Sequence, residues 1–139
     1  MIEGEKMEIN KNQISKAICL ENQIINQVRC IKLGMQIILE WYIKRWSIFK
    51  RREKNWFLEL KERLERLEGA FEFQFYDEKI YYRKELINSE EKLEECILEQ
   101  KEILENLICT PSGWWYGSKP FGTIQAQVWK YIKCLESIK

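Results

Sequence analysis

From Val28 to Phe49 the apolar side chains return at helical pitch and hold it for roughly twenty residues, which leaves few folds open to this chain. On a wheel of about 100° per residue with Tyr42 at zero, Val28, Ile31, Met35, Ile38, Trp46 and Phe49 all fall within about 40°. Ile14, Ile18 and Ile25 extend the stripe toward the N-terminus less regularly. A second row, Ile37, Trp41 and Ile48, lies roughly 120° away. The stretch from Glu8 to Arg52 therefore reads as one long helix. Gly34 inside it costs about 1 kcal/mol against alanine and permits a bend. A helix apolar on two sides needs two neighbours or a partner chain, so self-association as a homodimer is expected.

The aromatic end of this helix is also basic. Lys44, Arg45, Lys50, Arg51, Arg52 and Lys54 are opposed only by Glu53. Mixed basic and aromatic residues suggest stacking and phosphate contacts, as in single-strand nucleic-acid grooves. The wheel separates the two classes: Tyr42, Trp46, Phe49 and Trp56 follow the stripe, Lys44 and Arg51 oppose it, and Arg45 and Arg52 flank it. Core aromatics beneath a solvated basic face are one reading. A basic patch for phosphate or an acidic partner is the other.

The 139 residues suit a single helical domain, residues 1–139, with 45% hydrophobic and 32% charged residues and a net charge of +1. The charge is unevenly spread. Residues 41–56 hold six basic groups against one acid, and residues 85–105 hold eight acids against two lysines. Blocks of opposite sign can face each other within one fold or across a dimer. No stretch is apolar enough to cross a membrane, and residues 1–8 read as a loose charged leader without the pattern of a secretion signal. The five cysteines, Cys19, Cys30, Cys96, Cys109 and Cys134, are odd in number and widely spaced, as buried free thiols of a reducing, cytoplasmic compartment would be. Sixteen lysines against seven arginines, and 19 isoleucines against three alanines, lean toward an AT-rich genome of bacterial, phage or organellar kind.

Beyond Asn55 the periods change. Phe57, Leu60, Leu64 and Leu67 repeat at helical spacing, Glu59–Arg63 and Glu62–Arg66 form favourable (i, i+4) pairs, and Gly69 ends the run. Phe71, Phe73 and Phe75 then alternate with polar residues. Residues 71–83 can be a small β-hairpin turning at Asp77-Glu78, although that turn lacks the usual glycine, or they can continue the helix. From Lys84 to Ile108 a helix is expected, with Leu86, Leu93, Ile97, Leu104 and Leu107 on one coiled-coil-like face and Gln100 interrupting it. Glu91, Glu95 and Glu102 stand opposite, and Ile87 and Leu98 point off the seam and need cover elsewhere. Packing antiparallel to the long helix would supply that cover. Residues 110–122, with both prolines and three of the six glycines, form a loop, and Thr123 caps a last helix with Ile124, Val128, Tyr131, Leu135 and Ile138 on one face.

Chemistry finds little purchase. Histidine is absent, so Ser/His and Cys/His nucleophile pairs cannot be built. No two cysteines have CxxC spacing, and no glycine-rich phosphate loop occurs. Adjacent acids such as Glu90-Glu91 diverge on a helix, and Asp77 and Glu78 beside Tyr81 and Tyr82 are the best remaining place for a carboxylate site. No catalytic residue, metal or cofactor is expected. Trp114, Trp115, Tyr116 and Phe121 on the loop would be a recognition hot spot if exposed, or a core plug if folded down.

The expected fold is mainly α: a long antiparallel helical hairpin, coiled-coil-like, with a shorter C-terminal helix and the open question of one small β-hairpin near residues 71–83. The expected function is non-catalytic protein–protein interaction, as an adaptor, structural subunit or inhibitor that occludes a partner surface. Nucleic-acid binding through the basic face of residues 44–54 is the alternative.

Overall fold

The long stripe becomes a helix of 35 residues, α1 (Lys11–Arg45). The computed structural model describes residues 8–45, 51–108 and 119–139, and within these the side chains at 38, 39, 41–45, 51–57 and 119–121 are not described. Asn10 caps α1: its Oδ1 accepts from the backbone N–H groups of Asn12 (3.1 Å) and Gln13 (3.4 Å). After α1 come α2 (Arg51–Glu68), the strands β1 (Phe73–Tyr76), β2 (Lys79–Tyr82) and β3 (Glu85–Ile87), then α3 (Glu90–Ile108) and α4 (Lys119–Glu136). The chain is mainly helical with one small sheet.

The helix expected to run on to Arg52 is divided. α1 ends at Arg45, and α2 starts at Arg51 and runs back along it. Lys61 Nζ donates to Gln36 Oε1 (3.3 Å), while Glu68 accepts from Arg29 Nε (2.7 Å) and Lys32 Nζ (3.0 Å), an antiparallel register. The reversal has a simple cause. Leu60, Leu64 and Leu67 would stay in water on a straight rod, and folding back buries all three. The two cations at Glu68 hold its carboxyl below the ordinary range. Trp46, Ile48, Phe49 and Lys50 lie outside the described residues.

α4 covers the first half of α1, also antiparallel: Asn10 N donates to the Ile138 carbonyl at 2.6 Å. Ala17, Ile24, Val28 and Met35 of α1 meet Ile124, Val128, Tyr131, Leu135 and Ile138 in one buried core. Ala17 and Ile24 carry the N-terminal seam. Ile14 and Ile25 are only partly buried and Ile18 is exposed, so the seam is displaced from the row read off the wheel. The sequence paired the 84–108 helix with the long helix; in the structure α3 packs on α4 and α2, and α2 and α4 are the helices seated on α1. Lys101 pairs with Glu136 (3.4 Å) and Lys139 with Glu94, fastening α3 to α4.

Residues 71–83 form two strands, and a third strand follows at Glu85–Ile87, where the sequence pattern predicts helix. β1, β2 and β3 form an antiparallel meander with Phe75 opposite Ile80 and Ile80 opposite Ile87. Both connections are two-residue turns in the left-handed region, Asp77 (φ 53°) and Glu78 (φ 59°), then Arg83 (φ 50°) and Lys84 (φ 69°). This is the geometry that matches strand twist, built without glycine. Leu86, assigned by the sequence to the apolar helix face, is instead exposed on β3. The helix start had a signal: Ser89 Oγ accepts from Lys92 N (3.2 Å), with Glu90 and Glu91 in the first turn.

Gln100 is fully buried rather than a mere interruption. Its Nε2 donates to the Ala70 carbonyl (2.7 Å) and its Oε1 accepts from Glu72 N (2.9 Å), so one amide satisfies the backbone where α2 gives way to β1. Gln125 acts similarly at the end of α3, donating from Nε2 to the Ile108 carbonyl at 3.3 Å. α4 begins at Lys119, four residues before the expected cap at Thr123, so residues 119–122 are helical rather than loop. Pro120 in the first turn forfeits no intrahelical hydrogen bond. The rest of the expected loop, with Cys109, and residues 1–7 of the leader lie outside the described residues.

Candidate protein-interaction surface

Among the described residues several places keep apolar surface or charge after folding. The first is the arm formed by α1 and α2. About 20 Å of α1 continues past Ile31, where α2 packs on it. Leu33 and Ile37, one turn apart on this arm, are 64% and 59% exposed, so Ile37 of the second row keeps the open face the wheel indicated. At the arm's end the last turn of α1 carries Lys44 and Arg45, and the first turn of α2 carries Arg51, Arg52 and Lys54. The antiparallel pairing gathers these five positions at one end. Trp114, Trp115 and Tyr116 lie outside the described residues, and Phe121 falls in the first turn of α4.

The second is the outer face of the sheet. Tyr76 and Tyr81 stack with ring centroids 4.6 Å apart, and Tyr76 is largely exposed. A hydrogen bond with Tyr81 pushes the Tyr76 hydroxyl above its ordinary range. Leu86 lies beside them, directly across from Tyr81. Asp77 and Glu78 form the turn nearby, and Glu78 is paired with Lys11 at 2.9 Å. Among the described residues no group of three or more Cys, Asp or Glu could hold a metal ion.

The third is a groove of about 430 Å³ along the α1/α4 seam. Leu20 and Cys134 form its floor, Cys19 one wall, and Lys16, Lys130 and Lys133 its rim. None of its lining residues is a carboxylate, and among the described residues no acid pairs with any of the three lysines. The larger hollow between α2 and α3 differs: Glu59, Glu62, Glu65 and Glu72 line it together with Arg63 and Arg66, so it carries both signs with carboxylates in excess. The basic groove could not be read from the sequence, because Lys16 and the Lys130/Lys133 pair are far apart in the chain and meet only when α4 docks antiparallel on α1.

Behind the groove the seam holds an ionisable residue that the wheel could have flagged. Glu21 lies one heptad from Val28, between Ala17 and Ile24, and is partly buried. Desolvation pushes its carboxyl up to about 7. Tyr131 is fully buried nearby, its ring edge-on to Phe71 at 5.1 Å, and burial together with the Glu21 charge pushes its hydroxyl well up. The four described cysteines are free thiols. Cys96 and Cys134 are buried, which raises both thiols, whereas Cys19 and Cys30 are exposed and depart from the burial expected of them. Both look outward from α1, about three helix turns apart.

The chain matches no protein-family model, no curated protein and no solved structure. Among the described residues no helix is long and apolar enough to cross a membrane.

Proposed function

We propose that this chain is a non-catalytic protein-interaction module that receives an acidic helix with an aliphatic face in the α1/α4 groove. One observation carries the reading: an apolar floor rimmed by Lys16, Lys130 and Lys133, with no lining carboxylate. A carboxylate-bearing partner would neutralise the rim, and its aliphatic residues would cover the floor. Such a module acts as an adaptor, a structural subunit, or an inhibitor that occludes its partner, and free thiols suit a reducing cytoplasm.

The test is fluorescence anisotropy with a labelled helical peptide of leucine and glutamate. Binding is expected to weaken at least tenfold in Lys16→Glu/Lys130→Glu/Lys133→Glu, with an unchanged circular dichroism spectrum. Equal binding by wild type and variant, or equal binding of a leucine–lysine peptide, overturns the reading.

The arm supports a second reading, nucleic-acid binding, because five basic positions of α1 and α2 meet at its end. Phosphate contacts from them would make affinity fall steeply, roughly a hundredfold or more between about 50 and 200 mM salt. A flat salt response refutes it.

A further inference from the structure

The outward face of α3 is shaped to fill the groove that α1 and α4 leave open. Leu98 is 64% exposed, as far out of the core as any large apolar residue described. Glu91, Glu95 and Glu102 lie within about 60° of it on the helix, all on one flank. Among the described residues these three carboxylates pair with no cation. Glu94 and Glu105, on the other flank, are already paired with Lys139 and Lys101. The result is an apolar knob beside three uncompensated acids. The groove is its complement, an apolar floor beneath three uncompensated lysines.

We infer that a second copy of this chain is the groove's occupant, with Leu98 of one copy seated on Leu20 and Cys134 of the other, and Glu91, Glu95 and Glu102 facing Lys16, Lys130 and Lys133. The inference rests on the groove reading above and names its partner. Two features favour a second copy over an unrelated acidic helix. The match is one of number as well as sign, three carboxylates for three lysines. The knob also stays exposed after the chain has folded, because α3 spends its opposite face, Leu93, Ile97 and Leu104, on the core. Two copies that exchange knob for groove close as a two-fold pair, and both exposed surfaces are then covered.

The experiment is sedimentation equilibrium of the full chain at low salt. Wild type is expected to reach twice the monomer mass in the micromolar range. Glu95→Lys/Glu102→Lys and Lys130→Glu/Lys133→Glu are each expected to weaken association at least tenfold. All four positions are on helix surfaces, and circular dichroism of each variant verifies the fold. Mixed one to one, the two variants are expected to associate again, since the basic knob of one meets the acidic groove of the other. Wild type that stays monomeric at high micromolar concentration overturns the inference; if the leucine–glutamate peptide still binds, the groove reading stands and only the second copy falls. Association that neither charge reversal changes, or that mixing fails to restore, also overturns it.

Discussion

Replacing Gln100 by leucine keeps nearly the same volume and removes only the amide that holds the start of the sheet. Two backbone groups then lose their partner, the Ala70 carbonyl and the Glu72 N–H. An unsatisfied buried polar group costs about 1–3 kcal/mol. Ala70 is buried and bears most of that cost, whereas Glu72 is partly buried and recovers some of it from water. The added apolar burial of leucine offsets part of the loss, so the net destabilisation is about 2–3 kcal/mol, a large share of the 5–15 kcal/mol typical of a domain. Gln100→Glu separates the hydrogen bonds from the packing. Above the raised pKa that burial imposes, the carboxylate accepts from Glu72 but cannot donate to Ala70, and its charge is buried. Protonated near pH 4, it regains a donor and recovers most of the stability. Urea denaturation followed at 222 nm gives the free energies, and hydrogen exchange at the Glu72 amide reports the local bond. A Gln100→Leu change under about 0.5 kcal/mol, or an unchanged Glu72 exchange rate, refutes the reasoning.

Glu21 gives a pH dependence of defined sign. Its folded-state pKa, about 7, lies above the unfolded value of 4.5, so its contribution is fully favourable below 4.5 and is lost as pH rises through 7. Glu21→Gln should raise stability at pH 8 by about 1 kcal/mol, well under the full linkage value because the carboxyl is partly solvated, and leave it unchanged at pH 4; thermal melts at both pH values check this. Lys84→Gly relieves a left-handed residue in the second sheet turn and should stabilise by about 0.5–1 kcal/mol in urea denaturation. Leu33→Glu/Ile37→Glu alters the exposed row of the arm and should shift folding stability by less than about 1 kcal/mol, whereas a loss of 3 kcal/mol or more would show that the row is covered.

The sequence carried the parts of this fold that depend on periodicity. The faces of α2 and α4 were legible because Leu60, Leu64 and Leu67, and Ile124, Val128, Tyr131, Leu135 and Ile138, follow one helical repeat, and every one of them is buried. What escaped depends on long-range placement. The alternation of Phe71, Phe73 and Phe75 left strand and helix balanced, and a core face to receive the inward residues decides for strand. The third strand is only three residues long, too short for a pattern, and a strong helical repeat follows directly. Gln100 looked like a flaw in a seam because its two partners lie 30 and 28 residues away. The α1/α4 groove had no linear signature at all. Leu98 was different: its angle off the α3 seam already marked it as needing cover, and it is exposed in the folded chain.

The most direct test of the account is a nuclear magnetic resonance titration of the folded chain with the leucine–glutamate peptide. Amide shifts are expected to concentrate at Lys16, Cys19, Leu20, Lys130 and Cys134, on the two helices that frame the groove. Shifts confined to the arm or the outer sheet face, or none at millimolar peptide, would contradict it.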